Sequence, residues 1–215
     1  MKNRVFIVAG GPSLKGFDFS LLKDEDTITV NRSIFYTPNP NYFITSDYTF
    51  LKKIDMVAFR SIKTTKCFVI NRSYDYLQEV NGRIMDVRLP LVYKLGDFDL
   101  LIKSWKRSGI GLTFNEFRNG ENSAYCAFQL AVVLGYEKIY LLGLDLVCQG
   151  EQTHFHEGYG KSANYFNNKL DEYYEEYIIG LRELKEFKSQ VEVQSCSSIS
   201  RLNQHIKFVD IKELL

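Results

Sequence analysis

The chain has 215 residues, of which 45% are hydrophobic and 14% aromatic, enough to bury the core of one domain and too apolar for a disordered segment. Its 27 basic and 26 acidic side chains leave a formal net charge of +1, so the broad cationic field that non-specific nucleic-acid binding needs is absent, and no nucleic-acid partner is expected. Cys67, Cys126, Cys148 and Cys196 have neither CxxC nor CxxH spacing, which argues against a disulfide framework or a zinc site and for reduced thiols in a cytoplasmic protein.

The first apolar run, RVFIVAG (4–10), is too short before its glycines to be a signal-peptide core. No later run approaches the roughly 20 apolar residues of a membrane span, so a soluble protein is expected. TITVN (27–31), NYFITSD (41–47) and CFVINR (67–72) follow as short runs rich in β-branched and aromatic residues. From 85 to 120 the pattern is weaker. Within it FDLLIKSWKRSG (98–109) reads as a helix and IGLTFNEFRNG (110–120) as a loop, together an insertion or a small lid. NSAYCAFQLAVVLGY (122–136) reads as a buried helix, capped by Asn122 or Ser123 and stopped at Gly135, leading into the strand IYLLGLDL (139–146). A second helix spans 163–188, with Tyr173, Tyr177, Leu181, Leu184 and Phe187 on one packing face. VEVQSC (191–196) and IKFVDI (206–211) close the series.

Several of these strands are apolar at successive positions instead of alternating, the mark of strands covered on both faces. Strands and helices interleave, and no repeat or Pro/Gly/Ser linker interrupts them. The expected fold is therefore α/β: a Rossmann-like, doubly wound, mainly parallel sheet formed by residues 1–215 as a single domain.

In such a sheet, ligands bind beyond the carboxyl ends of the strands. Those ends carry Gly10, Gly11, Pro12 and Ser13; Asn31 and Arg32; Ser46 and Asp47; and Gly143 and Asp145. Glycines let a phosphate approach the backbone, amides at a helix start favour its charge, and Ser13 adds a hydroxyl. The pattern is neither GxGxxG nor GxxxxGK[ST], so the ordinary dinucleotide and P-loop fingerprints are missing, and a tight strand-to-helix turn explains the same residues without a ligand.

QTHFHEGYG (152–160) places His154 and His156 in a polar segment just beyond Asp145. An imidazole titrating near neutrality suits a general base, while a solvated His-x-His pair, or a metal held with Asp145 or Glu157, are the other readings. DFD (97–99) mimics the DxD motif that holds a cation on a diphosphate, but acids at the start of the expected helix serve equally as caps. SISRLN (198–203) either brings a hydroxyl or Arg201 to a nucleotide or caps a helix. Lys103, Lys106 and Arg107 beside Trp105 read as a solvated helix face before they read as a phosphate or acceptor site.

AGGPSL, VNRS, NSAYCAFQLAVVLGYEKIYLLGLDL and SISRLN together resemble the bacterial sialyltransferases of glycosyltransferase family 42. They also resemble the related DUF115 group, which includes motility-associated glycosylation proteins and MptE-like pterin pyrophosphokinases. The resemblance implies a GT-A-like variant of the fold and an inverting, metal-independent transfer of a sialic-acid-like sugar from a CMP-activated donor to a hydroxyl acceptor, a glycan among the candidates. It places the nucleotide on Gly10, Gly11, Ser13, Asn31, Asn122 and Ser123, aligns Asp145 with an acidic strand-end residue, and puts the base at His154, His156 or Tyr159. No cofactor is implied beyond the CMP-sugar substrate. The pterin-related members imply instead a Mg²⁺-dependent pyrophosphoryl transfer from ATP, and a non-catalytic nucleotide-binding protein is the third reading. The tyrosines of the second helix leave a homo-oligomer open.

Overall fold

The computed structural model describes residues 3–51, 53–71, 77–80, 83–86, 97–104, 108–156 and 163–215. Its frame is a sheet of eight strands, all parallel: β1 (Arg4–Val8), β2 (Thr27–Val30), β3 (Tyr42–Thr45), β4 (Thr65–Asn71), β7 (Leu100–Ser104), β8 (Lys138–Leu142), β9 (Glu192–Ser195) and β10 (Lys207–Phe208). A separate antiparallel pair, β5 (Leu77–Val80) and β6 (Arg83–Asp86), precedes β7 in the chain. The order across the large sheet is β10-β9-β8-β1-β2-β3-β4-β7. From β1 the chain winds outward through β2, β3, β4 and β7, then returns to lay β8, β9 and β10 on the other side. The winding therefore reverses between β1 and β8, whose registers match residue for residue from Arg4 opposite Lys138 to Val8 opposite Leu142.

Successive apolar residues in β1 serve two cores. Val5 and Ile7 point into the cluster beneath α3 (Ser123–Val133), with Ile28, Ile44, Ile139 and Leu141. Phe6 and Val8 point to the opposite face, with Leu14, Leu22, Tyr140 and Leu142. α3 is buried almost all round, which is why its sequence lacks a polar stripe. The one polar side chain buried deep within it, Gln129, is satisfied by both backbone groups of Gly111, at 2.8 and 2.6 Å. The short helices α1 (Tyr48–Leu51) and α2 (Met56–Ser61) cover the β3 and β4 end through Phe50, Leu51 and Phe59. The long α4 (Ala163–Phe187) packs Tyr177 and Leu184 against α3. Phe187, expected on the packing face, is 53% exposed at the helix end, where the core has already run out beneath it.

The segment expected to be a helix at 98–109 is the edge strand β7 over Leu100–Ser104, paired with β4 from Cys67 opposite Leu100 to Asn71 opposite Ser104. Its Leu-Leu-Ile core favours either state, and the open edge of β4 decides it. The DFD acids accordingly do not cap a helix: Asp97 pairs with Arg60 at 2.6 Å, and Asp99 accepts the Lys66 amide at 2.7 Å. Trp105, Lys106 and Arg107 lie outside the described residues. No helix among the described residues is long and apolar enough to cross a membrane.

Candidate functional site

The reversal between β1 and β8 opens a crevice beyond their carboxyl ends, the position where open α/β sheets bind ligands. β1 runs on through Ala9, whose amide donates to Leu142 O at 2.9 Å, and Gly11 then donates to Gly143 O at 2.7 Å, so the two strand ends are laced together. Gly11 has no room for a side chain, because a Cβ there would sit 2.5 Å from Asp145 Oδ2. Asp145, only 2% exposed, accepts the Ser13 amide on Oδ2 and the Ser13 hydroxyl on Oδ1, each at 2.7 Å. Both donors that the sequence offers to an anion at Ser13 are thus committed to a buried carboxylate. The helix after Pro12 is a single 3-10 turn, Pro12–Leu14, too short to supply an anion-binding N-terminus of the usual kind.

A second set of hydroxyls shapes the β2 and β3 side. The Ser33 hydroxyl donates to Val8 O at 2.6 Å and accepts the Val30 amide at 2.9 Å, fastening the VNRS turn to the end of β1. Asn31 adopts a left-handed φ of 52°, and its Oδ1 accepts from Thr45 Oγ1 at 2.7 Å. Ser46 meets Ser123 twice, amide to Oγ and Oγ to Oγ, both at 3.0 Å. Asn122 caps α3, its Oδ1 accepting the Tyr125 amide at 2.8 Å, as the sequence suggested for this position. Ser200 caps the turn Arg201–Gln204 and donates to Leu144 O at 2.7 Å, while Arg201 pairs with Asp171 and lies over the Tyr174 ring. Of the two readings of SISRLN, the structure displays the cap.

The histidines close the crevice. His154 and His156 stack with ring centroids 5.1 Å apart, and His154 meets Phe166 edge-on at 5.1 Å. The Phe155 amide between them donates to Gly10 O at 3.1 Å, anchoring the segment to the glycine turn. A Cβ at Gly10 would lie 3.0 Å from His154 Cδ2 and 3.7 Å from His156 Nε2, so the missing side chain is what lets both rings settle there. His154 Nδ1 and Thr153 Oγ1 are 2.8 Å apart. Burial, and then the neighbouring His156, push the His154 imidazole down from 6.5 to about 4. The sequence anticipated an imidazole titrating near neutrality. His154 instead stays neutral far into acid.

These elements enclose a cleft of about 450 Å³. It is lined by Gly10, Gly11, Pro12 and Asn31, by Ser46, Asp47, Asn122 and Ser123, by Gly143 and Asp145, and by His154 and His156. Ser13 and Arg32 are not in its lining, and Tyr159 lies outside the described residues. No residue of 97–104 or 108–120 lines it, so the described part of the expected lid is not a wall of the cleft. That wall is the first turns of α4, where Tyr165, Phe166, Lys169, Leu170 and Tyr173 recur on a helical period. The sequence pattern marks this helix as a packing element whose tyrosines leave a homo-oligomer open, not as a wall of the cleft. The signal was there in the aromatic-rich start, which carries more apolar surface than a solvated helix end needs. Lys53 and Lys169 line the cleft alongside Asp47 and Glu121, and the Lys169 ammonium pairs with Glu172 at 3.2 Å. Among the described residues no group of three His, Cys, Asp or Glu is placed to hold a metal.

No protein-family model and no curated protein matches the chain. Solved structures do. The sialyltransferase CstII from Campylobacter jejuni, in complex with the substrate analogue CMP-3FNeuAc, aligns over 95% of this chain and 85% of its own at 18% identity and a TM-score of 0.50. The MAf glycosyltransferase from Magnetospirillum magneticum AMB-1 aligns over 100% of this chain and 36% of its own at 13% identity and a TM-score of 0.50. At these identities the likeness establishes a shared fold, the Rossmann-like α/β sheet expected from the sequence.

Proposed function

We propose that the chain is a glycosyltransferase that moves a sugar, sialic-acid-like by preference, from a CMP-activated donor to a hydroxyl acceptor, with His154 as general base. The observation that carries this reading is the convergence of Gly10, Gly11, Asn31, Ser123 and the two histidines on one cleft at the switch point of the sheet. The CMP-analogue complex of a sialyltransferase with the same fold supports the choice of donor.

The chemistry follows from the ring's position. The proposed base is the His154 tautomer whose Nδ1–H donates to Thr153 Oγ1, 2.8 Å away; that tautomer carries its lone pair on Nε2, at the ring edge beside Gly10. The acceptor oxygen attacks the anomeric carbon while its proton passes to Nε2. The bond from that carbon to the donor phosphate oxygen breaks, and CMP leaves with the electron pair. The configuration inverts because attack and departure are on opposite faces. The imidazolium then returns its proton to solvent. Lys53, Lys169 and the hydroxyls of Ser46 and Ser123 are the groups of the cleft suited to the charge developing on the leaving phosphate.

Thermal denaturation with CMP, CDP, UDP, GDP and ATP, each with and without Mg²⁺, tests the donor directly. CMP without metal should raise the midpoint, by an amount set by about RT ln(1 + [L]/Kd), near 2.7 kcal/mol at a hundredfold excess over Kd. Stabilisation by ATP only when Mg²⁺ is present would favour pyrophosphoryl transfer and overturn the proposal.

A further inference from the structure

The stretch of α4 that walls the cleft has no fully buried side chain. From Asn164 to Glu175 every residue is exposed or half-buried, and burial resumes at Glu176 and Tyr177. Leu170, Tyr173 and Tyr174 reach the core only as partly buried side chains. Phe166, Leu170 and Tyr173 nevertheless line the cleft, and Phe166 covers the His154 ring edge-on at 5.1 Å. One short turn ties this stretch down. Asp171 pairs with Arg201 at 2.7 Å, the Arg201 guanidinium lies 4.4 Å from the centre of the Tyr174 ring, and the Tyr174 hydroxyl meets His205 Nε2 at 2.7 Å. The same turn is fixed to the opposite wall. The Arg201 amide donates to Asp145 O at 3.0 Å and the Ser200 hydroxyl to Leu144 O at 2.7 Å, both just past β8 and both on residues that line the cleft.

An ion pair this open to solvent adds little to global stability: the Arg201 and Asp171 side chains are 33% and 79% exposed. What it can set is the position of one helix face. A planar guanidinium that pairs at its edge and stacks on its face leaves the partner helix few other orientations. We infer that Arg201 is a positioning residue, a strut that holds the aromatic wall of α4 over the His154 ring and so keeps water from the proposed base. The inference rests on the glycosyl-transfer reading for the ring's role and adds to it a residue outside the cleft on which that role depends. Arg201 itself does not line the cleft. Local opening of the first turns of α4, with the rest of the domain folded, is the state the strut suppresses. In that state Phe166 leaves the ring, and His154, whose titration burial and then His156 hold down to about 4, regains access to water.

Imidazole titration by two-bond ¹H–¹⁵N NMR on the full chain, with no nucleotide present, reads this cover directly. The His154 midpoint, about 4 in the unmodified protein, should rise by about one pH unit towards 6.5 in Arg201→Ala, while the urea midpoint at pH 7 hardly moves. Asp171→Ala removes the pair from its more exposed end and should do the same, which keeps the test open should Arg201→Ala fold poorly. Arg201→Lys keeps the charge without the planar stack, so its midpoint should lie between those of the unmodified protein and Arg201→Ala. Phe166→Ala should raise the midpoint by itself, and Arg201→Ala added to it should raise it little further, because both act through one cover. An unmoved midpoint in both Arg201→Ala and Asp171→Ala, a midpoint already near 6.5 in the unmodified protein, or effects of Arg201→Ala and Phe166→Ala that add in full would overturn the inference. If CMP fails to stabilise the unmodified protein while the midpoints respond as expected, the donor assignment falls and the strut stands.

Discussion

Replacing His154 by alanine should lower the turnover of glycosyl transfer by about 10²- to 10⁴-fold, the usual worth of a positioned general base, with little change in the stabilisation by CMP. The pH dependence should then identify the residue. In the free protein the ring titrates at about 4, so kcat/KM should be flat from pH 8 to 5 and fall with a midpoint near 4. A bound donor brings a negative phosphate that favours the imidazolium, so the limb in kcat should lie at higher pH than the limb in kcat/KM. The same ring makes folding acid-sensitive. An unfolded histidine binds its proton near 6.5 and the folded one only near 4, so the unfolded state holds more protons between these values. The histidine's contribution is complete above pH 6.5 and is lost as the pH falls towards 4, on the order of 1–3 kcal/mol. Denaturation of the unmodified protein and of His154→Ala at pH 7 and at pH 4.5 isolates this part, because the carboxylates are common to both. Full turnover in His154→Ala, with the loss appearing in His156→Ala instead, would move the base to the second ring.

Much of this architecture was legible because burial on two faces writes itself into the chain. RVFIVAG has no alternation, and the structure shows why: Val5 and Ile7 serve one core while Phe6 and Val8 serve the other. The NSAYCAFQLAVVLGY helix was legible for the same reason, with its cap at Asn122 and its stop before Gly135 at a φ of 83°. The strand ends pointed to the cleft because parallel topology leaves ligands one rim to use.

What stayed hidden was set by partners distant in the chain. Leu100–Ser104 is a strand only because β4 offers it an open edge, and no local propensity records that. Ser13 looked like an anion donor because its acceptor lies 132 residues away. The downward shift at His154 depends on Phe166, His156 and the glycine turn closing over the ring, which a His-x-His spacing cannot express. The cleft wall on α4 escaped because the period that buries Tyr177 and Leu184 further along also turns Tyr165 and Lys169 towards the site.

Asp145→Ala should be the most damaging single change outside the hydrophobic core, through the scaffold and not through the chemistry. The carboxylate is buried and accepts both Ser13 donors, so its removal leaves the part-buried Ser13 amide and hydroxyl without this acceptor and frees the turn from β8. Losing charge-assisted bonds of this kind costs about 1.5–3 kcal/mol apiece in comparable settings, although the two here share one residue and will not simply add. A total near 3 kcal/mol is expected, a large share of the roughly 5–15 kcal/mol that holds a domain of this size together. Asp145→Asn separates scaffold from catalysis. Its carbonyl can still accept the Ser13 amide and its NH₂ can donate to the Ser13 hydroxyl, so about 1 kcal/mol should suffice for the loss. Gly11→Ala attacks the same latch from the other side, where a methyl group would press on Asp145 Oδ2 and on the Gly143 carbonyl. Urea denaturation should rank the variants Asp145→Asn, then Asp145→Ala, with Gly11→Ala near the latter, and CMP stabilisation should decline in the same order. A stable Asp145→Asn that binds CMP as well as the unmodified protein yet transfers no sugar would show that the carboxylate takes part in the reaction itself.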